Sequence, residues 1–353
     1  GSEDAMEVER RGGRALRQLC EVERAVEVGN DRCHRSTHGL LVVALRRLAH
    51  RQETLRERPL AHLTVLAILA PTTSVGTLVL KVRALQMRSS APDLPTTYVA
   101  GPRWYPFQLG FFLTILRDLV EPAHDDRDVV DLIWFPTGGG KTEAYLLVAA
   151  FEIFRRRLLD GEKGSGTAVL SRYTLSLLTA QQFQRTASTI AACEHLRRKD
   201  PERLGQEQIT VGLWVGEATT PNRYAAAHES FDELRDAGET DDRFLLERCP
   251  WCGTEIVPRE HRDDDADYGI VSDDASFAFH CTSDKCEFHA GLPVIVIDDV
   301  LYADPPTFLL GTVDKFAQLA WVADSGALFG RPAGKLPPSL IIQDELHLLT
   351  GPL

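Results

Sequence analysis

The stretch Trp134 to Leu147, WFPTGGGKTEAYLL, sets Gly138, Gly139 and Gly140 directly before Lys141 and Thr142. Consecutive glycines have no side chains to obstruct a tight turn, so their backbone N–H groups can converge on phosphate oxygens. A helix following the loop adds the positive end of its dipole. In such a cradle Lys141 reaches the β and γ phosphates and Thr142 places its hydroxyl on Mg²⁺. Pro136 and Thr137 complete the loop, while Phe135 stands where the strict phosphate-loop pattern asks for glycine. A second stretch, SLIIQDELH, ends an apolar run at Gln343 and continues with Asp344 and Glu345. Carboxylates at the end of a strand suit two roles in nucleotide hydrolysis: Asp344 holds the metal, and Glu345 orients and activates the attacking water. A chance glycine turn and a solvated acidic turn are the plainer readings. Against both stands the apolar run that precedes each motif.

Four of the seven cysteines form pairs. Cys249 and Cys252 make CPWCG, Cys281 and Cys286 make CTSDKC, and 28 residues separate the pairs. Two close thiolate pairs joined by a longer loop match a tetrahedral Zn²⁺ site whose role is structural, because four protein ligands leave no open position. His280 and His289 are substitutes if one cysteine is not a ligand. Disulfides are the competing reading, and a reducing cytoplasm disfavours them. Cys20, Cys33 and Cys193 have no such spacing.

These groups need elements to position them. Residues 1 to about 60 mix Arg and Glu with apolar residues at helical spacing, which predicts a helical N-terminal region, and a Ser/Pro/Thr/Gly-rich stretch marks a boundary near residue 100. Beyond it, short apolar runs alternate with helical stretches. VVDLIWF (129 to 135), TAVLS (167 to 171), ITVGLWV (209 to 215), TFLLGT (307 to 312) and SLIIQ (339 to 343) are strand candidates. EAYLLVAAFEIFRRRLL and LSLLTAQQFQRTASTIAACEHLRRK are the helices between them. That alternation predicts an α/β fold with a parallel sheet covered on both faces and ligands at the carboxyl ends of the strands. Residues 221–299 hold 20 Asp and Glu against 7 Lys and Arg, a balance of −13 in a chain of net −12, which leaves +1 elsewhere. The acidity therefore belongs to one segment, an insertion over 221–292 that contains the cysteine module of 249–289. The rest is balanced enough to carry a basic groove. No apolar run reaches the roughly 18 residues of a membrane span, so no membrane partner is expected and the location follows as cytoplasmic.

Upstream, RWYPFQLGFFL offers aromatic surface and Gln108, whose amide could pair with an adenine edge, although such a cluster equally suits a core. Taken together, FPTGGGKT and DELH resemble motifs I and II of the superfamily 2 DExH helicases, in which residues other than glycine often open the phosphate loop. The resemblance spans about residues 101–353 and implies a first RecA-like lobe. It aligns PFQL with the adenine-reading glutamine motif. SRYTLSLLTAQQ and GTVDKF fall where backbone-contact motifs lie, which gives Arg172, Thr312 and Lys315 as nucleic-acid contacts. RYTLSLLTAQQFQR and LIIQDELHLLTGPL look closest to the helicase subunit of DISARM-type bacterial phage-defence systems. That family implies DNA, single-stranded or duplex, and a protein subunit as partners. Helicases of this group carry a second lobe with arginine fingers, and this chain stops eight residues after Glu345. The resemblance therefore implies a portion that binds ATP and hydrolyses it poorly alone. The alternative is an ATP-gated assembly or DNA-clamping subunit that switches partner contacts without unwinding.

Overall fold

A computed structural model describes residues 105–121, 129–133, 140–173, 180–237, 244–258, 261–319, 321–331 and 333–344. The N-terminal region expected to be helical lies outside these residues, as do Pro136, Thr137, Gly138, Gly139 and Glu345. The chain divides into two compact units, Gly1–Ser74 with Arg103–Val148, and Val75–Pro102 with Ala149–Leu353.

In the first unit, α1 (Pro106–Val120) begins at Tyr105, whose backbone N–H donates to Gln108 Oε1 at 2.9 Å. That bond satisfies a helix-start donor that would otherwise lack a partner. Helix α2 (Lys141–Asp160) opens in this unit and ends in the second. Every residue from Ala144 to Phe154 is buried, as befits a core helix and not a surface one. Of the strand expected at 129–135, residues 129–133 are in no strand, with Val130 88% and Leu132 70% exposed, and residues 134 and 135 lie outside the described residues. Val and Leu give this run the composition of a buried strand. Composition alone supplies no partner edge, and a strand exists only by pairing.

The second unit is built on a five-stranded sheet of order β5-β2-β6-β1-β7, every pairing parallel. Its strands are β1 (Val169–Tyr173), β2 (Val211–Trp214), β5 (Val294–Ile295), β6 (Phe308–Thr312) and β7 (Leu340–Gln343). All residues of β2 and β6 are buried, so both faces of these inner strands are covered. Edge strand β7 differs, with Ile341 73% exposed. Helix α3 (Ala180–Lys199) and the short α4 (Pro201–Leu204) connect β1 to β2. The acidic segment holds α5 (Tyr224–Ala237) and an antiparallel pair, β3 (Ile270–Ser272) with β4 (Phe277–Phe279). Helices α6 (Asp298–Ala303) and α7 (Val313–Gln318) flank β6 in sequence. A core of Leu170, Trp214, Leu301, Leu309 and Leu328 joins the sheet to its covering segments. Gly212 is what lets β2 approach α6: a Cβ there would fall 2.5 Å from both Leu301 and Pro306.

Helix ends set the amino-terminal edge of the sheet. Basic residues near the carboxyl ends of α2 and α3 suit the negative end of each helix dipole. Their guanidinium groups turn inward. Arg156 donates to Pro337 O (2.7 Å) and Leu336 O (2.9 Å) in the run entering β7. Arg157 donates to Glu207 O (2.9 Å) and Gln208 O (3.0 Å) before β2. Burial lowers the Arg157 guanidinium to about 10, against the charge of Glu207, so it stays protonated at neutral pH.

Candidate functional site

The described end of the glycine loop is Gly140, at φ +84°. That left-handed torsion is open to glycine and strained for residues with a Cβ. A Cβ at this position would also lie 2.9 Å from Gln108 Nε2. Gln108 is 1% exposed, and its Nε2 donates to Gly140 O at 2.8 Å. Its amide therefore ties the start of α1 to the end of the loop, a role that spacing did not show because 32 residues separate the two. Lys141 and Thr142 follow at once and form the half-buried first turn of the 20-residue α2. The first turn of a helix presents unpaired N–H groups and a partial positive charge, the elements of an anion site.

In the second unit, three adjacent strands bring Thr312, Arg172 and Asp344 to one edge of the sheet. Arg172 is in register with Gly311 on β6 and with Gln343 on β7, and Asp344 N–H donates to Arg172 O at 3.3 Å. This is the carboxyl end of the strands, where ligands bind in parallel sheets. Arg172 is half-buried, and its Nε has no hydrogen-bond partner among the described residues. Thr312 and Lys315, expected as nucleic-acid contacts, are buried at 2% and 7% exposure. Lys315 Nζ donates to Asp298 Oδ2 at 2.6 Å and lies 5.9 Å from the Trp214 ring centroid. With its amide oriented to suit its neighbours, Asn222 accepts from the same ammonium at 3.1 Å. Burial raises the Asp298 carboxyl above its ordinary range, and Lys315 opposes that shift. Tyr302, which accepts a hydrogen bond from Trp214 Nε1 at 3.1 Å, is pushed up to about 12, chiefly by burial. Neither Asp298 nor Tyr302 was singled out from sequence, since nothing local marks an acid 17 residues before its lysine.

The cysteine module is described in full around its sulfurs. The Sγ atoms of Cys249, Cys252, Cys281 and Cys286 all lie within 4.8 Å of one another, with Cys249 to Cys286 at 3.9 Å and Cys252 to Cys281 at 3.4 Å. Tetrahedral Zn²⁺ with bonds of about 2.3 Å sets its sulfurs about 3.8 Å apart, so this group could hold such an ion. Gly253, at φ +80°, closes the first knuckle by donating to Cys249 O at 2.9 Å. Phe288 N–H points at Cys286 Sγ from 3.4 Å, as suits a thiolate. The bond from Cys249 lowers Cys286 to about 5, while burial raises Cys281 to about 12. Crowded sulfurs of this kind ionise together only when a cation neutralises them. His280 and His289 are not part of the four-sulfur group; both rings face Cys281 O, at 3.3 and 2.8 Å.

With this geometry, sequence comparison becomes informative. The chain is 37% identical over 294 residues to DISARM protein DrmA of Bacillus paralicheniformis. This chain is similar to a DISARM protein. The alignment takes in 71% of this chain and 26% of DrmA, so the chain spans about a quarter of that relative's length. The likeness to DrmA supports the DISARM-type resemblance seen in the sequence motifs. No protein-family model matches the chain. Among the described residues no helix is long and apolar enough to cross a membrane.

Proposed function

We propose that this chain is the ATP-binding part of a superfamily 2 DExH-type DNA helicase or translocase that serves in bacterial anti-phage defence. The observation that carries this reading is the junction at Gly140: a left-handed glycine, tied by Gln108, opening directly into Lys141 and Thr142 at the head of a buried helix. In this reading Gly138 to Thr142 cradle the phosphates. Lys141 neutralises the transferring phosphoryl group, Thr142 and Asp344 hold Mg²⁺, and Glu345 activates water. Gln108 stands beside the adenine pocket, with one amide hydrogen left beyond its bond to Gly140. Arg172 is the half-buried cation at the sheet edge and the leading contact for a DNA phosphate. The four-cysteine group holds a structural Zn²⁺, and a further protein subunit of the defence complex is the expected partner. The similarity to DrmA supports the defence setting.

The test uses the chain extended to the length of its relative. Lys141→Ala should abolish nucleotide binding, measured with a fluorescent ATP analogue. Glu345→Gln should bind ATP and lose turnover, because water activation alone is removed. DNA should raise ATPase activity in the unaltered protein. Retained nucleotide affinity in Lys141→Ala sinks the phosphate-site reading.

One observation favours a second reading, in which ATP binding switches partner contacts without unwinding. Thr312 and Lys315 are buried, and the lysine is already neutralised by Asp298. ATPase activity indifferent to any DNA would support this alternative.

A further inference from the structure

The cysteine module lies along α3, touching it near both ends. Gln184 Nε2 donates to Arg248 O at 3.0 Å. Three turns later His195 stacks on Trp251 with ring centroids 4.6 Å apart, and its Nδ1 lies 2.5 Å from Glu287 Oε2. Residues 11 apart return to nearly the same helix face, so these contacts form one line. Trp251 sits between the ligand candidates Cys249 and Cys252, and Glu287 directly follows Cys286.

One residue beyond that line faces two ways. Arg198 Nη1 donates to Glu287 O at 3.2 Å, and its guanidinium carbon stands 4.5 Å from the Phe288 ring centroid. Its Nε donates to Glu194 Oε1 at 2.9 Å. Glu194 has no exposure to solvent; it receives two bonds from Arg197, at 2.7 and 2.8 Å, and the Ile209 N–H at 2.9 Å. Arg197 also donates to Gly205 O and Gln206 O, which fixes the loop that enters β2. A continuous chain of contacts thus runs from Cys286 through Glu287 and Phe288 to Arg198, Glu194 and the start of an inner strand.

We infer that metal loading of the four-cysteine group braces the parallel sheet, with Arg198 as the positioning residue that relays it. The inference rests on the reading of those cysteines as a metal site. In modules built around four cysteines a bound metal supplies much of the folding free energy. Losing the ion releases Glu287 and Phe288. Arg198 then loses its outer partners, and buried Glu194 keeps a less well-held counter-charge beside the entry of β2. The module is in this sense part of the sheet's support.

The experiment measures metal content of the full chain by mass spectrometry, then backbone hydrogen exchange before and after chelation, in the unaltered protein and in Arg198→Lys. Lysine keeps the charge beside Glu194 and lacks the second nitrogen that reaches Glu287 O. In the unaltered protein, chelation should speed exchange by about tenfold or more at 205–214 as well as at 249–289. In metal-loaded Arg198→Lys, 205–214 should already exchange faster, and chelation should add little there. Acceleration confined to 249–289 on chelation overturns the brace while leaving the metal site standing. Absence of stoichiometric metal in the purified chain defeats the metal reading itself. If chelation unfolds the whole chain, the metal-loaded Arg198→Lys protein decides: unchanged exchange at 205–214 overturns the relay.

Discussion

At the amino-terminal edge of the parallel sheet, Arg156, Arg157 and Arg197 are all committed to carbonyl oxygens of the loops that enter β7 and β2. At the carboxyl edge, Lys315 is held by the Asp298 carboxylate and the Asn222 amide, and among the described residues Asp298 Oδ1 and Arg172 Nε have no hydrogen-bond partner. Both edges bury cations, but with different consequences. A guanidinium spread over fixed carbonyls is a structural clamp, because any movement leaves several backbone groups unpaired. An ammonium facing one carboxylate whose own ionisation is disfavoured by burial has a second arrangement within reach. One edge is built to stay, and the other keeps charge that a ligand could claim.

The sharpest way to break this contrast is at Glu194. Glu194→Ala leaves Arg197 without its carboxylate and the Ile209 N–H without an acceptor. It should cost about 3–5 kcal/mol in urea unfolding, with nucleotide affinity unchanged in the protein that remains folded. Arg156→Ala should cost about 2–4 kcal/mol by the same measurement, since the carbonyls of Leu336 and Pro337 lose their donor. A loss near zero would mean that the amino-terminal clamp is decorative.

At the opposite edge the expected effects are smaller and depend on pH. The Asp298 carboxyl is raised in the folded state by burial, so between its unfolded and folded values the native protein binds more protons than the unfolded one. Its contribution to stability is complete below the unfolded value and is lost as pH rises through the folded value. Asp298→Asn abolishes that dependence. The stability of the unaltered protein relative to the variant should therefore be greatest at acidic pH, below the ordinary carboxylate range, and decline as pH rises, as urea titrations at each pH would show. A gap that widens toward neutral pH would contradict the direction. Smallest of all in stability, Arg172→Ala should change unfolding by less than about 1 kcal/mol. If Arg172 meets a DNA phosphate, the same change should reduce the slope of log affinity against log salt by about 1.

The sequence shows this division only in part. Four strands of the sheet fall within two residues of their apolar runs; for the inner three, a strand covered on both faces must be largely apolar. Strand β5 escapes notice, being two residues long. Residues 129–133 mislead, since a Val- and Leu-rich run reads as a strand whether or not a neighbour pairs with it. The cysteine group is legible because ligand spacing is a local property. Arg156 and Arg157 have the composition of a solvated helix end, and only the fold reveals carbonyls waiting 50 to 181 residues away. Lys315 reads as an available cation for the same reason: its partner is set by the packing of α6 beside β6.

Gly140 and Gln108 are linked by a left-handed torsion, a 2.8 Å bond and a Cβ position crowded by the Gln108 amide itself. Mutation therefore cannot explore the two positions one at a time. A side chain at 140 meets a strained backbone angle and displaces the Gln108 amide, while a shorter residue at 108 strips the loop of its tether without relieving the torsion. The pair forms a ratchet in sequence space, and drift in this chain's descendants should leave both residues where they are.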